Sequence, residues 1–154
     1  MTLKLAARRK GFTLIEILIV VAIIAILAMA ILPNFVGFDV DARVVTTKSN
    51  LATLRNRIAL YRAKEGGYPK SLRDLLDQTY LDAGIERPYL KEVPSEVITS
   101  KSGNNSFQDQ ASSKSLSSTG GWIYLTDRAD VVINYDRTLE QSWEDYKDEN
   151  PSKW

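Results

Sequence analysis

The 154-residue chain contains no cysteine and no histidine. Disulfide frameworks, thiol nucleophiles, zinc sites of the Cys/His type and every catalytic scheme built on an imidazole are thereby excluded. Neither sign of charge dominates: 20 Lys and Arg stand against 19 Asp and Glu, so no polyanion-binding class is announced. There is no glycine-rich phosphate loop, no serine nucleophile elbow and no metal-ligand spacing, so no enzyme is expected. The length corresponds to about one domain. What the balanced totals conceal is local asymmetry, with apolar residues gathered near the N-terminus and serine near the middle.

Residues 1–11 carry Lys4, Arg8, Arg9 and Lys10 and no acidic residue. From Phe12 the chain is apolar up to Pro33, interrupted only by Thr13 and Glu16. As a helix rising about 1.5 Å per residue, this stretch spans roughly 30 Å, the thickness of a bilayer core. The preceding cations favour a cytoplasmic N-terminus and place everything after Pro33 on the far side of the membrane.

Three interpretations compete. One is a plain membrane anchor. Another is a cleaved secretory signal, because Ala28-Met29-Ala30 is an acceptable cleavage site, although the apolar stretch is longer than usual and carries a carboxylate near its start. The third turns on Glu16. A carboxylate at the centre of a membrane segment costs about 2.5–3.5 kcal/mol, less near the interface, and usually has a partner. Nothing cationic lies within helical reach after Gly11. Cutting after Gly11 creates an ammonium at Phe12, one helical turn from Glu16, able to pair with it within a chain or between packed neighbours.

The run Lys10-Gly11-Phe12-Thr13-Leu14-Ile15-Glu16, followed by the apolar stretch and Pro33, resembles the type IV prepilin signature shared by pilins and by the pseudopilins of type II secretion. The resemblance implies that prepilin peptidase cuts between Gly11 and Phe12, that Phe12 is N-methylated and that Glu16 serves in assembly. Pro33 stands where many members of the family have a proline. Processing removes the basic leader and leaves 16 basic against 19 acidic side chains, so the leader's charge is a targeting feature.

Pro33 should kink the helix, with Gly37 loosening the next turn. Beyond it Val40, Val44, Thr47, Leu51, Leu54, Ile58 and Tyr61 recur at spacings of three and four, which predicts one apolar stripe on a helix ending at Gly66-Gly67. Phe12–Glu65 then forms a single bent helix of roughly 80 Å. Lys48, Arg55, Arg57, Arg62 and Lys64 are read as a solvated face, and nucleic acid is not expected as a partner. Tyr68-Pro69 leads into a short helix that Ser71 caps, with Asp74 three residues on. This stretch looks like the middle of the major pseudopilin. Tyr80–Val97 has no clear period, and Ser95–Thr119, with nine serines, is expected to be an exposed loop. Trp122–Leu125 and Val131–Tyr135 predict an antiparallel hairpin packed by one face on the helix stripe. In the acidic tail, Trp143, Tyr146 and Trp154 offer docking aromatics.

The expected fold is α+β and pilin-like: a long bent N-terminal helix, half transmembrane and half amphipathic, packed on a small antiparallel sheet. Residues 1–11 are the leader, 12–33 the transmembrane and assembly segment, and 34–154 a periplasmic head. The resemblance implies a structural subunit of a type II secretion pseudopilus. Its site would be the inner membrane, single-pass, before assembly into a helical filament of identical subunits. Expected partners are prepilin peptidase, other pseudopilins or pilins, and inner-membrane assembly proteins. The missing cysteine pair and the Tyr68-Pro69 region favour this over a type IV pilin or minor pilin used for adhesion, motility or DNA uptake. A membrane-anchored monomeric binding domain is a further alternative. No cofactor is required. The resemblance raises calcium, which many major pseudopilins bind in C-terminal loops, and Asp127, Asp130 and Asp136 around the hairpin are the ligands on offer. The competing interpretation makes them ordinary loop and strand-end aspartates.

Overall fold

A computed structural model of the chain describes residues 11–31, 38–112, 115–139, 143 and 145–154. The bend expected at Pro33, the effect of Gly37 and the continuity of one helix through this stretch lie outside the described residues, as does the leader as far as Lys10. The chain divides into two compact units, the first ending at Phe38 and the second running from Asp39 to Trp154.

The first unit holds α1, Leu14–Ile31, an 18-residue helix with no buried residue. The second is built on α2, Phe38–Glu65, whose buried residues are Val44, Thr47, Leu51, Leu54, Ile58 and Tyr61, the stripe expected from their spacing. A turn at Ser71 leads into α3, Asp74–Asp77. Over this turn Asp74 accepts from the Ser71 amide (3.1 Å) while the Ser71 hydroxyl accepts from the Arg73 amide (3.1 Å). The N-cap of α3, however, is Arg73, which makes no side-chain cap, so Ser71 closes the preceding turn and does not cap the helix as expected. Pro69 is buried and its carbonyl accepts a hydrogen bond from the Tyr124 hydroxyl (2.6 Å).

Five short strands follow: β1 Thr79–Asp82, β2 Ile85–Pro88, β3 Phe107–Gln110, β4 Trp122–Leu125 and β5 Asp130–Ile133. The β4–β5 pair is the antiparallel hairpin expected, with Trp122 opposite Ile133 and Leu125 opposite Asp130. Two features differ from expectation. The β1–β2 hairpin occupies a stretch without legible periodicity, turning at Ala83 and Gly84, both at positive φ. In addition β3 pairs with β4 in parallel, so the three-stranded sheet β3-β4-β5 is mixed. A parallel partner needs a crossover rather than a tight turn.

All four residues of β4 are buried because both faces of the sheet are covered. Trp122, Tyr124, Val131 and Ile133 pack in the main core with Leu51, Leu54 and Ile58 of α2. On the other face Ile123, Leu125 and Val132 cluster with Leu116 from the serine-rich segment. That segment is therefore not a free loop. One end is held by wholly buried Glu96, whose carboxylate accepts from the amides of Ile98 (2.8 Å), Thr99 (3.1 Å) and Gly121 (3.2 Å) and from the Thr99 hydroxyl. Its other end is held by buried Asn134, which accepts from the Ser117 amide (2.9 Å) and donates to the Thr119 hydroxyl (3.0 Å) and the Gly120 carbonyl (3.2 Å). Gly120 lies at φ +84°, and a Cβ there would stand 2.8 Å from a Glu96 carboxylate oxygen.

The basic residues of α2 are not all on a solvated face. Arg43 donates to the carbonyls of Val97 (2.6 Å) and Ile98 (2.7 Å) and lies over the Trp143 ring. Lys48 pairs with Glu149 (2.8 Å) and sits 4.5 Å from the Trp154 ring centre, with Tyr146 further out. Arg55 reaches Asp130 (2.8 Å) and the carbonyls of Val131 and Trp154. These cations hold the tail aromatics against α2 beside its buried stripe, while Val45, Ser49, Ala52 and Asn56 on its outer face stay exposed.

Burial makes two phenols hard to ionise. Tyr124 is pushed up to about 12 by its burial, with the carboxylates of Asp109 and Asp74 adding to it. Tyr89 is also raised, by burial first and then by its hydrogen bond to Glu65 (2.5 Å). An unfolded tyrosine ionises near about 10. The neutral phenols therefore stabilise the fold fully below about pH 10, and that stability is lost as pH climbs towards about 12. Urea unfolding at stepped pH is expected to show this decline, and Tyr124→Phe to flatten it; a variant with an unchanged alkaline slope contradicts the assignment.

Candidate functional site: the N-terminal assembly segment

Gly11, Phe12 and Thr13 precede the first turn of α1 in non-helical backbone. The start of the helix is fixed by a reciprocal cap. The Glu16 carboxylate accepts from both the amide and the hydroxyl of Thr13 (2.8 Å each), while the Thr13 hydroxyl accepts from the Glu16 amide (3.3 Å). This is a capping box, and it also sets a negative charge at the positive end of the helix dipole. Glu16 thus already has a partner ahead of any cut at Gly11. The Thr-x-x-Glu spacing carries that signal in the sequence beside the expected pairing with an amine.

Past this cap α1 offers no polar group. Phe12 is 84% exposed, and the large apolar residues of the helix are each half exposed or more, on every side. A helix apolar all round and exposed on every side requires lipid or other chains as surroundings. It is long and apolar enough to cross a membrane. A Cβ added at Gly11 meets nothing within 4 Å, so the space around the expected cleavage point is open.

The three aspartates considered for calcium are not gathered into one donor set. Asp127 is exposed in the turn between β4 and β5. Asp130 is held by the Arg55 guanidinium (2.8 Å), and Asp136 accepts from the side chains of Asn150 (3.0 Å) and Ser152 (3.4 Å). Among the described residues no group of three or more acidic side chains converges where one ion could be held. A carboxylate committed to a guanidinium is a poor calcium ligand, so these residues do not fit the ion. The polar residues that organise the head, Glu96 and Asn134, were not singled out by the sequence. An isolated Glu in Pro-Ser-Glu-Val has no spacing to reveal it.

Comparison with known proteins bears on the same segment. Residues 6–32 match the family model described as the prokaryotic N-terminal methylation motif. The chain is 30% identical over 87 residues to type II secretion system core protein G of Klebsiella pneumoniae, covering 56% of this chain and 61% of that protein. It is 31% identical over 87 residues to the protein of the same name from Aeromonas hydrophila, covering 56% and 57%. Type IV major pilin protein PilA of Myxococcus xanthus is 51% identical over 47 residues, 30% of this chain and 21% of that pilin. The chain thus spans about three fifths of the length of the secretion proteins it matches. No solved structure matches it significantly. A membrane-length apolar helix under a methylation motif makes the N-terminal segment a membrane anchor. The chain bears the prokaryotic N-terminal methylation motif over residues 6–32 and is similar to type II secretion core protein G and to type IV major pilins.

Proposed function

We propose that the chain is a structural subunit of a type II secretion pseudopilus. The single observation that carries this is α1, apolar on all sides, without a buried residue and overlapped by a methylation motif. Before assembly α1 holds the subunit in the inner membrane, with the cationic leader in the cytoplasm and the head in the periplasm. Prepilin peptidase cuts between Gly11 and Phe12, and the new Phe12 amine is methylated. Assembly proteins of the inner membrane then draw the subunit into a helical filament with its own kind and with other pseudopilins. There Glu16 meets the Phe12 amine of a neighbouring subunit and sets the axial register. The head is proposed to need no metal at Asp127, Asp130 or Asp136.

A second reading, a type IV pilin or minor pilin, is favoured by the 51% identity to the Myxococcus pilin. Deleting the gene separates the two. The secretion reading expects exported enzymes to accumulate in the periplasm while surface pili, motility and DNA uptake persist. The reverse pattern, pili lost and secretion intact, overturns it in favour of the second.

A further inference from the structure

Two exposed surfaces of the head flank α2 on opposite sides. One is a cavity of about 670 Å³ between α2 and the β4–β5 turn. Its floor is apolar, from Ala59, Ala63, Ala129 and the Tyr68 ring, and its rim carries Arg62 and Arg128. Arg55 also borders it but is committed to Asp130 and to the carbonyls of Val131 and Trp154. Arg62 stacks on Tyr68 and donates to its hydroxyl (2.5 Å). Asp130 also lines the hollow, but its carboxylate is held by Arg55, so among the described residues Arg62 and Arg128 are left there without a carboxylate partner.

The other surface is the β1–β2 hairpin. Leu81 is 65% exposed and Ile85 58%. The register places Leu81 opposite Glu86 and Asp82 opposite Ile85, so each pair shares one face of the ribbon. On one face Asp82 is neutralised by Arg87 (3.0 Å). On the other, Leu81 stands beside Glu86, which has no cationic partner among the described residues. Thr53 and Arg57 of α2 border this side of the head with Tyr80 and Arg87, and Lys64 lies over Tyr80. At about 100° per residue, that row is roughly half a turn from Arg55, Ala59 and Arg62.

We infer that the Leu81–Glu86 face of one copy docks in the Arg62–Arg128 cavity of a second copy of this chain. Leu81 covers the alanine floor and the Glu86 carboxylate enters between the two guanidiniums, the geometry that arginine pairs best. One chain carries both halves, complementary in charge and in apolarity, and carries them on opposite flanks. The contact is therefore heterologous, and repeating it propagates an open helical array instead of closing a two-fold dimer. This rests on the filament reading above and deepens it by naming the contact between heads.

The test uses the full chain in its native host. Because the chain contains no cysteine, any disulfide between its copies must come from the thiols introduced by Leu81→Cys and Ala63→Cys. Mild oxidation of the double variant is expected to give a non-reducing ladder of dimers, trimers and higher species, while each single variant gives none. Combining it with Arg62→Glu and Arg128→Glu is expected to weaken the ladder at least tenfold, and adding Glu86→Arg to restore it. Filaments seen by electron microscopy without a ladder overturn this contact and leave the filament reading standing. Absence of both overturns the two together. A dimer from either single variant indicates a symmetric contact, and a product containing a different protein assigns the cavity to that protein; each result overturns the inference.

Discussion

Glu96→Ala is expected to destabilise the head by about 3–5 kcal/mol. Glu96 is wholly buried, yet all that surrounds its carboxylate is donors: the amides of Ile98, Thr99 and Gly121 and the hydroxyl of Thr99. Alanine leaves three backbone N–H groups without their acceptor, and each buried donor so deprived costs about 1–3 kcal/mol. Water entering the loop softens the sum, which places the total nearer the lower end of simple addition. A domain of this size is stable by only about 5–15 kcal/mol, so the loss takes a large share of the whole. The backbone pairing of Glu96 with Asn104 (2.9 and 2.7 Å) should loosen with it, and so should the segment whose Leu116 covers the outer face of the sheet. Urea unfolding of the detergent-solubilised chain, followed by tryptophan fluorescence, should show a midpoint lower by about 2 M. Trp122 reports on the same region, since its indole donates to the Pro94 carbonyl (2.6 Å). Glu96→Gln nearly preserves size but turns an NH2 group towards amide donors, so it too should lose stability. A glutamine variant as stable as the parent contradicts the acceptor-only role.

The second large effect concerns Glu16, where two roles coincide in one carboxylate. As a cap it is worth about 0.5–2 kcal/mol to the helix start, and glutamine serves that role nearly as well. As a charge in an apolar filament core it requires a cation, because an unpaired buried charge costs several kcal/mol. Lipid tails are as apolar as the neighbouring helices, so moving α1 from bilayer to filament gains little from hydrophobic burial alone. The choice of register then falls to the charged pair. Glu16→Ala and Glu16→Gln are both expected to be cleaved after Gly11 and to remain in the membrane, with filament yield reduced at least tenfold. If Glu16→Gln assembles normally, only the cap matters and the proposed pairing with Phe12 is wrong. Gly11→Ala gives the contrasting phenotype, an uncut chain. Its Cβ finds open space, so the failure belongs to peptidase recognition and not to the chain's own packing.

What could be read from the sequence is what periodicity and composition encode. The α1 segment is a continuous apolar run, the α2 stripe repeats at helical spacing, and β4–β5 combines aromatic and β-branched residues around a polar turn. The elements that escaped lack such a signal. The β1–β2 turn uses Ala83-Gly84 rather than Asn-Gly or Asp-Gly, although both residues adopt positive φ. Phe107-Gln108-Asp109-Gln110 has little strand propensity, and β3 exists because β4 offers it a parallel edge. Its Asp109 also accepts from the Ser71 hydroxyl (2.6 Å) and the Leu72 amide (3.1 Å), a long-range tie that spacing cannot show. For Lys48 and Arg55 the helical pattern identified the polar side correctly. It could not show that Glu149, Asp130 and Trp154 would land there. In the N-terminal segment the Thr13–Glu16 cap is local and legible, and it complements the pairing that Glu16 is proposed to make after cleavage.

The central claim is that this chain is processed at Gly11 and then assembles through α1. Its most direct test is the intact mass and N-terminal residue of the protein extracted from membranes of its native host. A chain beginning with N-methylated Phe12 is the predicted result. An intact Met1 contradicts processing and leaves a simple anchor, and a start at Ile31 contradicts it by making the protein a secreted one without its assembly helix.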